Sequence, residues 1–306
     1  MKRISKTAYL ALEPVTKAYL DLHLCVFLWG FTAILGKLIS IAALSLVWWR
    51  VGFTCLSLVF MKNLSANIRE IPRAKLLTYM LIGIFVCCHW VLFYASVKAS
   101  NASVGVLCMA ITPIFTAFME PFFFRRRILF IEILLSILVV PGMYLVTQNI
   151  SSSMYLGLLL GLGSAFMASL FSILNKKYIK NADPISITFI ELGSAFLFLC
   201  VVLPIVLYFN HQVSFWPQHF DWIYLIILSV FCTSVPYILS LYSLKHLSAF
   251  TTNLAINLEP IYGIFFAWIL LKENKEVNPG FYLGVVIILV SVFSYPFLKK
   301  IVKTRA

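Results

Sequence analysis

Residues 254–273 read LAINLEPIYGIFFAWILLKE. A glutamate, Glu259, stands directly before Pro260 inside an apolar run long enough to span a membrane. Both features are costly in lipid. A charge at the bilayer centre costs about 2.5–3.5 kcal/mol on insertion scales. Pro260 has no N–H, so the carbonyl of Ile256 loses its helical partner. Such groups persist where helices pack around a wet cavity or a polar partner. Residues 107–126, LCMAITPIFTAFMEPFFFRR, place Pro113 at the same point of a similar run. The decisive stretch therefore occurs twice.

The surrounding chain has 306 residues, 62% hydrophobic and 11% charged, with a mean hydropathy of +0.97. About 25% of a soluble domain is charged, so this is the composition of an integral membrane protein. A net charge of +13 would suggest nucleic acid in a soluble protein. Here the basic residues sit in short connectors and form no aromatic-interleaved face, so no nucleic-acid partner is expected. The seven cysteines fall inside apolar segments without a CxxC, which indicates neither a disulfide framework nor a zinc site. No metal and no cofactor are expected. The first 20 residues carry basic side chains but no uninterrupted apolar core or A-x-A site, and read as a cytoplasmic tail rather than a cleaved signal.

Apolar segments long enough for the ~30 Å hydrocarbon core predict ten helices, near 21–41, 43–61, 75–97, 100–123, 128–147, 154–177, 184–209, 221–244, 247–271 and 279–298. With the N-terminus inside, 19 Lys and Arg fall in inside segments and 4 in outside ones, with Arg50 left within a helix. This asymmetry places both termini in the cytoplasm. The expected location is the plasma membrane, or the inner membrane of a Gram-negative cell.

The second half slides over the first with ordered matches. Ile34-Leu35-Gly36-Lys37 answers Ile173-Leu174-Asn175-Lys176, Arg50-Val51-Gly52 answers Glu191-Leu192-Gly193, and Ser96-x-Lys98 answers Ser243-x-Lys245. From there Pro113-Ile114 meets Pro260-Ile261 without a gap. The expected organisation is a tail at 1–20, five-helix repeats at 21–147 and 154–298, and a basic tail at 299–306. An odd helix number sends the second copy into the membrane upside down. Inverted repeats with a midplane site at their interface are a transporter architecture. The fold class is thus all-α, with ten transmembrane helices in two inverted five-helix repeats.

The run from Leu241-Tyr-Ser-Leu-Lys-His-Leu-Ser-Ala-Phe through Glu259-Pro260 to Leu271-Lys-Glu273, with Gly280 and Gly284 in the last helix, resembles the EamA-like branch of the drug/metabolite transporter superfamily. The resemblance extends over residues 20–298. The first half departs from it: RRRILFIE replaces an acidic connector, and Pro121 is an extra expected interruption. The resemblance implies alternating access and transport, often export, of small metabolites such as amino acids. It does not fix the substrate.

Three charges lie deep in predicted helices: Arg50, Glu191 and Glu259. Intramembrane charges are functional candidates by default, and the alternative is a structural Arg–Glu pair joining the repeats. On one continuous helix Thr252 and Glu259 share a stripe with Gly263 and Phe266, while Asn253, Asn257 and Pro260 form another on a different face. The Glu259 stripe is taken as the cavity face, and the asparagines as bonded to neighbouring helices. His89, Trp90 and Tyr94 in the third helix suit an amphipathic organic substrate, and His89 also offers proton coupling. Packing of that histidine on a neighbouring helix, with the rings in lipid, stays open. Trp29 and Tyr237 are further pathway candidates, and Pro113 and Pro260 are expected helix bends. Glu120 and Glu132 are expected to pair with Arg125–Arg127. Gly157-x-x-x-Gly161 permits close packing, which leaves monomer and homodimer both open.

No H-E-x-x-H, G-x-S-x-G, paired aspartates or nucleotide motif occurs, so an intramembrane enzyme and an ATP-driven pump are not expected. A secondary transporter in the lipid bilayer, with a small-molecule substrate, is the leading reading. The alternatives are an enzyme and a non-transporting scaffold.

Overall fold

The computed structural model describes residues 12–62, 64–100, 102–146, 154–259, 261–262 and 279–305. Its ordered elements are helices, with no strand among the described residues. In chain order they are α1 (Pro14–Trp29), α2 (Thr32–Leu38), α3 (Ala43–Val59), α4 (Leu64–Arg69), α5 (Arg73–Ala99), α6 (Ala102–Met109) and α7 (Thr112–Phe124). There follow α8 (Phe130–Val146), α9 (Tyr155–Tyr178), α10 (Pro184–Phe209), α11 (Asp221–Ser229), α12 (Val235–His246), α13 (Ala249–Ile256) and α14 (Pro279–Arg305).

Local chemistry sets the helix ends. Pro14 and Pro184 occupy first-turn positions, where a missing N–H costs nothing. The Asp183 carboxylate accepts from Ile185 N and Ser186 N at 3.1 and 3.2 Å, and Ser248 Oγ accepts from Thr251 N at 3.1 Å. The helix expected over 21–41 begins instead at Pro14 and divides at Gly30–Phe31. Pro121 does not interrupt its helix: α7 runs through it and ends at Arg125, whose φ of 50° takes the left-handed turn that stops a helix. Proline removes one backbone bond, and α7 absorbs that loss within its last turn.

Among the described residues five helical stretches are long and apolar enough to cross a membrane: Pro14–Leu38, Arg73–Ala99, Tyr155–Asn181, Pro184–Phe209 and Asp221–His246. Shorter apolar helices cover Ala43–Val59, Phe130–Gly142 and Tyr282–Tyr295. Polarity is arranged for lipid. Ser45, Thr54, Ser96, Thr116, Ser186 and Thr188 have no exposed surface, while Leu159, Val201 and Phe122 are 66%, 65% and 78% exposed. A multi-pass membrane protein turns its polar groups inward and shows hydrocarbon outward.

The same features occur twice. The first half breaks at Ala110–Ile111, between α6 and α7, and the second breaks at Asn257–Leu258, after α13. Pro113 sits in the first turn of α7. Pro260 lies outside the described residues, as do Gly263 and Phe266. Ser96 Oγ on α5 donates to Gly157 O at the start of α9 at 2.6 Å. Its counterpart Ser243 Oγ on α12 donates to Ala18 O at the start of α1 at 2.9 Å. Each half thus clasps the first helix of the other by the same bond. Gly157 and Gly161 let α9 approach Ser100 and Cys108 of this same chain, so the small-residue stripe is used within the bundle.

Neither apolar core belongs to one half. One cluster joins Val47 of α3 and Val86 of α5 to Leu199 of α10 and Leu228 of α11. The other joins Leu22 of α1 and Val139 of α8 to Phe250 of α13 and Ile288 of α14. Within the second, Arg126 Nη2 meets Glu120 Oε2 at 3.2 Å and Glu132 Oε2 at 2.7 Å. Glu120 Oε2 also accepts from Phe250 N at 3.1 Å, and Glu132 Oε1 from Tyr295 Oη at 2.6 Å. Burial works against the charge on Arg126, but the Glu132 hydrogen bond and the two carboxylate charges outweigh it and raise its pKa above the ordinary value. Arg126→Ala should cost about 2–3 kcal/mol, below the loss for a fully buried pair because Arg126 is partly exposed. Thermal unfolding in detergent, compared with Arg127→Ala, measures this; equal midpoints would remove the clamp.

Candidate functional site

Arg50 extends from the middle of α3 and is only 2% exposed. Its Nε donates to Thr233 Oγ1 at 2.7 Å and its Nη1 to Tyr94 Oη at 2.9 Å. Its guanidinium carbon lies 4.0 Å from the centre of the Trp90 ring, within cation–π range. Thr233 reaches Arg50 through a local irregularity. Residues Val230–Ser234 form a π-helical turn between α11 and α12. Pro236 follows, and having no N–H it leaves the carbonyl of Cys232 without its regular partner. Two hydroxyls of the turn also bond back to carbonyls five residues earlier: Thr233 Oγ1 donates to Leu228 O at 2.6 Å and Ser234 Oγ to Ser229 O at 3.0 Å. The Thr233 proton is thereby engaged, and its oxygen lone pair faces Arg50.

Glu259 lies just past the break at Asn257–Leu258. Thr32 Oγ1 donates to Trp29 O at 2.8 Å and lies 3.3 Å from Glu259 Oε1. The break changes the expected division of stripes. Asn253 lines the same cavity as Thr252 and Glu259, while its Nδ2 donates to Thr116 Oγ1 at 2.7 Å. Thr252 and Asn253 are adjacent on the unbroken α13, about 100° apart, and both reach the cavity; the break at residue 257 frees only Glu259, which lies beyond it, from the single-helix projection.

Between the two apolar clusters is a cavity of about 90 Å³, lined from both halves. Its aromatic wall is Trp29, Trp90, Phe93, Phe171 and Tyr237. Polar groups around it include Thr32, Thr112, Ser172, Asn175 and Ser240. Of the residues expected on the pathway, Arg50, His89, Trp90, Trp29, Tyr237, Thr252 and Glu259 line this space. Tyr94 does not line it and supports Arg50 from behind. Glu191 also lies behind the wall, with its Oε2 accepting from Tyr237 Oη at 2.5 Å and Asn175 Nδ2 at 3.2 Å.

The Arg–Glu pair open from sequence does not form. No ion pair within 4.0 Å joins Arg50 to Glu191 or Glu259 among the described residues. Arg50 has neutral partners, and each glutamate has others. His89 combines two readings: its Nδ1 lies 2.8 Å from Ser164 Oγ and 3.0 Å from Ser164 O on α9, and its ring lines the cavity. Trp90 and Tyr94 are buried rather than lipid-facing. Among the described residues no three His, Cys, Asp or Glu side chains come close enough to hold a metal ion. Thr233, Asn175 and Thr32 were not singled out from sequence. Pro236 after the Cys-Thr-Ser run was the available signal for the first of them.

Comparison with known proteins places this geometry. The sequence profile of the EamA-like transporter family matches residues 16–148 and, a second time, residues 155–295. A protein of Bacillus subtilis (strain 168) named "Uncharacterized transporter YxxF" is 25% identical over 198 residues, covering 63% of this chain and 61% of that protein. The match thus spans less than two thirds of that relative's length. A solved crystal structure superimposes with a TM-score of 0.74 over 94% of this chain and 99% of the other, at 11% identity, which is a likeness of fold alone. Matched twice over most of its length, with a cavity lined by residues of both matches, this chain belongs to the EamA-like transporter family.

Proposed function

We propose that the protein is a secondary transporter of small amphipathic metabolites, amino acids or compounds like them, working by alternating access. It has ten membrane-spanning helices in two inverted repeats, with both termini in the cytoplasm. The direction is export, as the resemblance implies. The observation that carries the reading is the cavity between the two apolar clusters, where a buried Arg50 hydrogen-bonded to neutral Thr233 and Tyr94 and a Glu259 beside Thr32 share one space.

Arg50 takes the anionic group of the substrate, through donors not spent on Thr233 and Tyr94. Glu259 takes the cationic group, and the aromatic wall covers the apolar remainder. Each cluster contains helices of both halves, so the bodies that move are the clusters rather than the sequence halves. The breaks at Ala110–Ile111 and Asn257–Leu258 are where the chain flexes between them.

Proteoliposomes carrying a panel of amino acids, nucleosides and sugar phosphates, followed by mass spectrometry with and without a pH gradient, test this. Saturable movement of a zwitterionic class is expected. Glu259→Gln should weaken apparent affinity for that class by about ten-fold or more, the worth of a charge-assisted hydrogen bond. Unchanged affinity in a folded variant would remove Glu259 from the site. No movement of any class by folded protein would favour a non-transporting scaffold.

A further inference from the structure

Glu191 is fully buried in α10, and its surroundings can be stated completely for the described residues. Tyr237 of α12 and Asn175 of α9 both donate to Oε2. From α5, Gly83 is pressed against the Glu191 carbonyl. Two titratable groups face the carboxyl, Tyr237 itself and Tyr79 of α5, whose hydroxyl donates to Tyr178 O at 3.0 Å. No basic nitrogen lies within 4.0 Å of it among the described residues.

The donors do not cover the acceptors. Among the described residues Glu191 Oε1 is buried without a hydrogen-bond partner, and so is Asn175 Oδ1. These two orphan acceptors belong to side chains already bonded to each other through Asn175 Nδ2 and Glu191 Oε2. Native interiors rarely leave such groups unpaired, because each costs its desolvation. One added proton meets both needs. Placed on Oε1, it makes the carboxyl a donor and Asn175 Oδ1 its acceptor, closing a two-bond ring between a carboxylic acid and an amide. It also removes a negative charge that would otherwise be held at membrane depth by neutral donors alone.

The site has a path to the cavity. Tyr237 and Asn175 both line the cavity, and Glu191 touches it only through them. Tyr237 can pass its hydroxyl proton to Oε2 while Oη takes a proton from the cavity side. A half-turn of the carboxyl group about its Cγ–Cδ bond then exchanges the two oxygens, so that the protonated one takes the Oε1 position beside Asn175 and the bare one accepts again from Tyr237. One proton enters, one negative charge is lost, and the tyrosine is restored. We propose that Glu191, with Asn175 and Tyr237, is the proton-binding site that couples substrate movement to the pH gradient. The coupling part rests on the transporter reading; the proton-binding part does not.

The two parts are therefore read separately. Infrared difference spectra of the purified protein in lipid, titrated over pH without substrate, should contain the C=O stretch of a protonated carboxyl group. That band should disappear in Glu191→Gln and move to higher wavenumber in Tyr237→Phe, where the carbonyl oxygen Oε2 loses a hydrogen bond. A band unchanged in both variants overturns the site, and Tyr237→Phe keeps the test available if Glu191→Gln does not fold. In proteoliposomes one pH unit can drive about ten-fold accumulation per coupled proton. Glu191→Gln should lose that accumulation, while solute-for-solute exchange falls by less. Accumulation retained by Glu191→Gln, or driven by sodium instead, overturns the coupling role. If the wild-type protein moves nothing, the transporter reading fails, while the infrared band still decides whether Glu191 holds the proton.

Discussion

Arg50→Gln is expected to raise KM for an anionic or zwitterionic substrate by roughly 10- to 150-fold, the equivalent of about 1.5–3 kcal/mol for hydrogen bonds to a charged group. The environment of Arg50 explains why the loss should appear in binding. Its contact neighbours Thr233, Tyr94 and Trp90 are neutral, and among the described residues no carboxylate lies within 4.0 Å of it, so Glu259 acts on it only from a longer range. The guanidinium is held by one nitrogen on each of two hydroxyls, and its planar fork keeps further N–H groups for a ligand. Arg50→Lys should rescue little, because a point ammonium cannot keep both hydroxyl contacts and also meet an anion in a fork. The measurement is initial flux against substrate concentration, with insertion checked by protease accessibility. A KM within two-fold of wild type, with normal insertion, would place the anion elsewhere.

The largest loss of stability should come from Gly83→Val. Gly83 is where α5 and α10 cross, and a Cβ there would overlap the backbone carbonyl of Glu191 and the hydroxyl of Ser194. Ser194 Oγ has little freedom to withdraw, since it lies 2.8 Å from Glu191 O and 2.9 Å from Met80 O, bridging the two helices. Overpacking costs about 1–3 kcal/mol when side chains can adjust, and more when backbone must move. Gly83→Val is therefore expected to lower the unfolding midpoint strongly or to aggregate on extraction. Two controls bracket the prediction. At Gly163 a Cβ would meet only Leu92 Cδ1 at 3.4 Å, and at Gly193 it would meet nothing within 4 Å. Gly163→Ala and Gly193→Ala should stay close to wild type in the same assay. Equal behaviour of all three would mean that the α5–α10 crossing is not close-packed.

Much of this arrangement could be read from the chain because lipid penalises polar groups so heavily. Arg50 and Glu259 stood out for that reason, and both line the cavity. Hydropathy also located most helix bodies, since a span must be both long and apolar. Thr233, Thr32 and Asn175 escaped notice because one hydroxyl or amide hardly alters the hydropathy of a window. The projection of residues 252–260 onto a regular helix failed at Asn257–Leu258, where the backbone changes course. The prolines marked these irregular regions, but each break lies just ahead of its proline position, which fits a residue that starts a helix more readily than it ends one. Repeat matching showed which segments correspond. It carried no information on which segments pack together, and the two cores that mix the halves were legible only in space.

The π-helical turn at Val230–Ser234 has a bearing on how this site can change over time. Such a turn holds one residue more than the α-helical turn it replaces. Loss of a single codon there would restore a regular helix and leave everything beyond it facing as before, because the wide turn already absorbs the extra residue. Tyr237 and Ser240 would keep their places in the cavity, while the turn that carries Thr233 to Arg50 would be lost. A lineage can thus remove one partner of Arg50 by one short deletion, with no substitution at any cavity-lining position. An alignment that forbids gaps within this helix would pair every position on one side of the turn with the wrong counterpart.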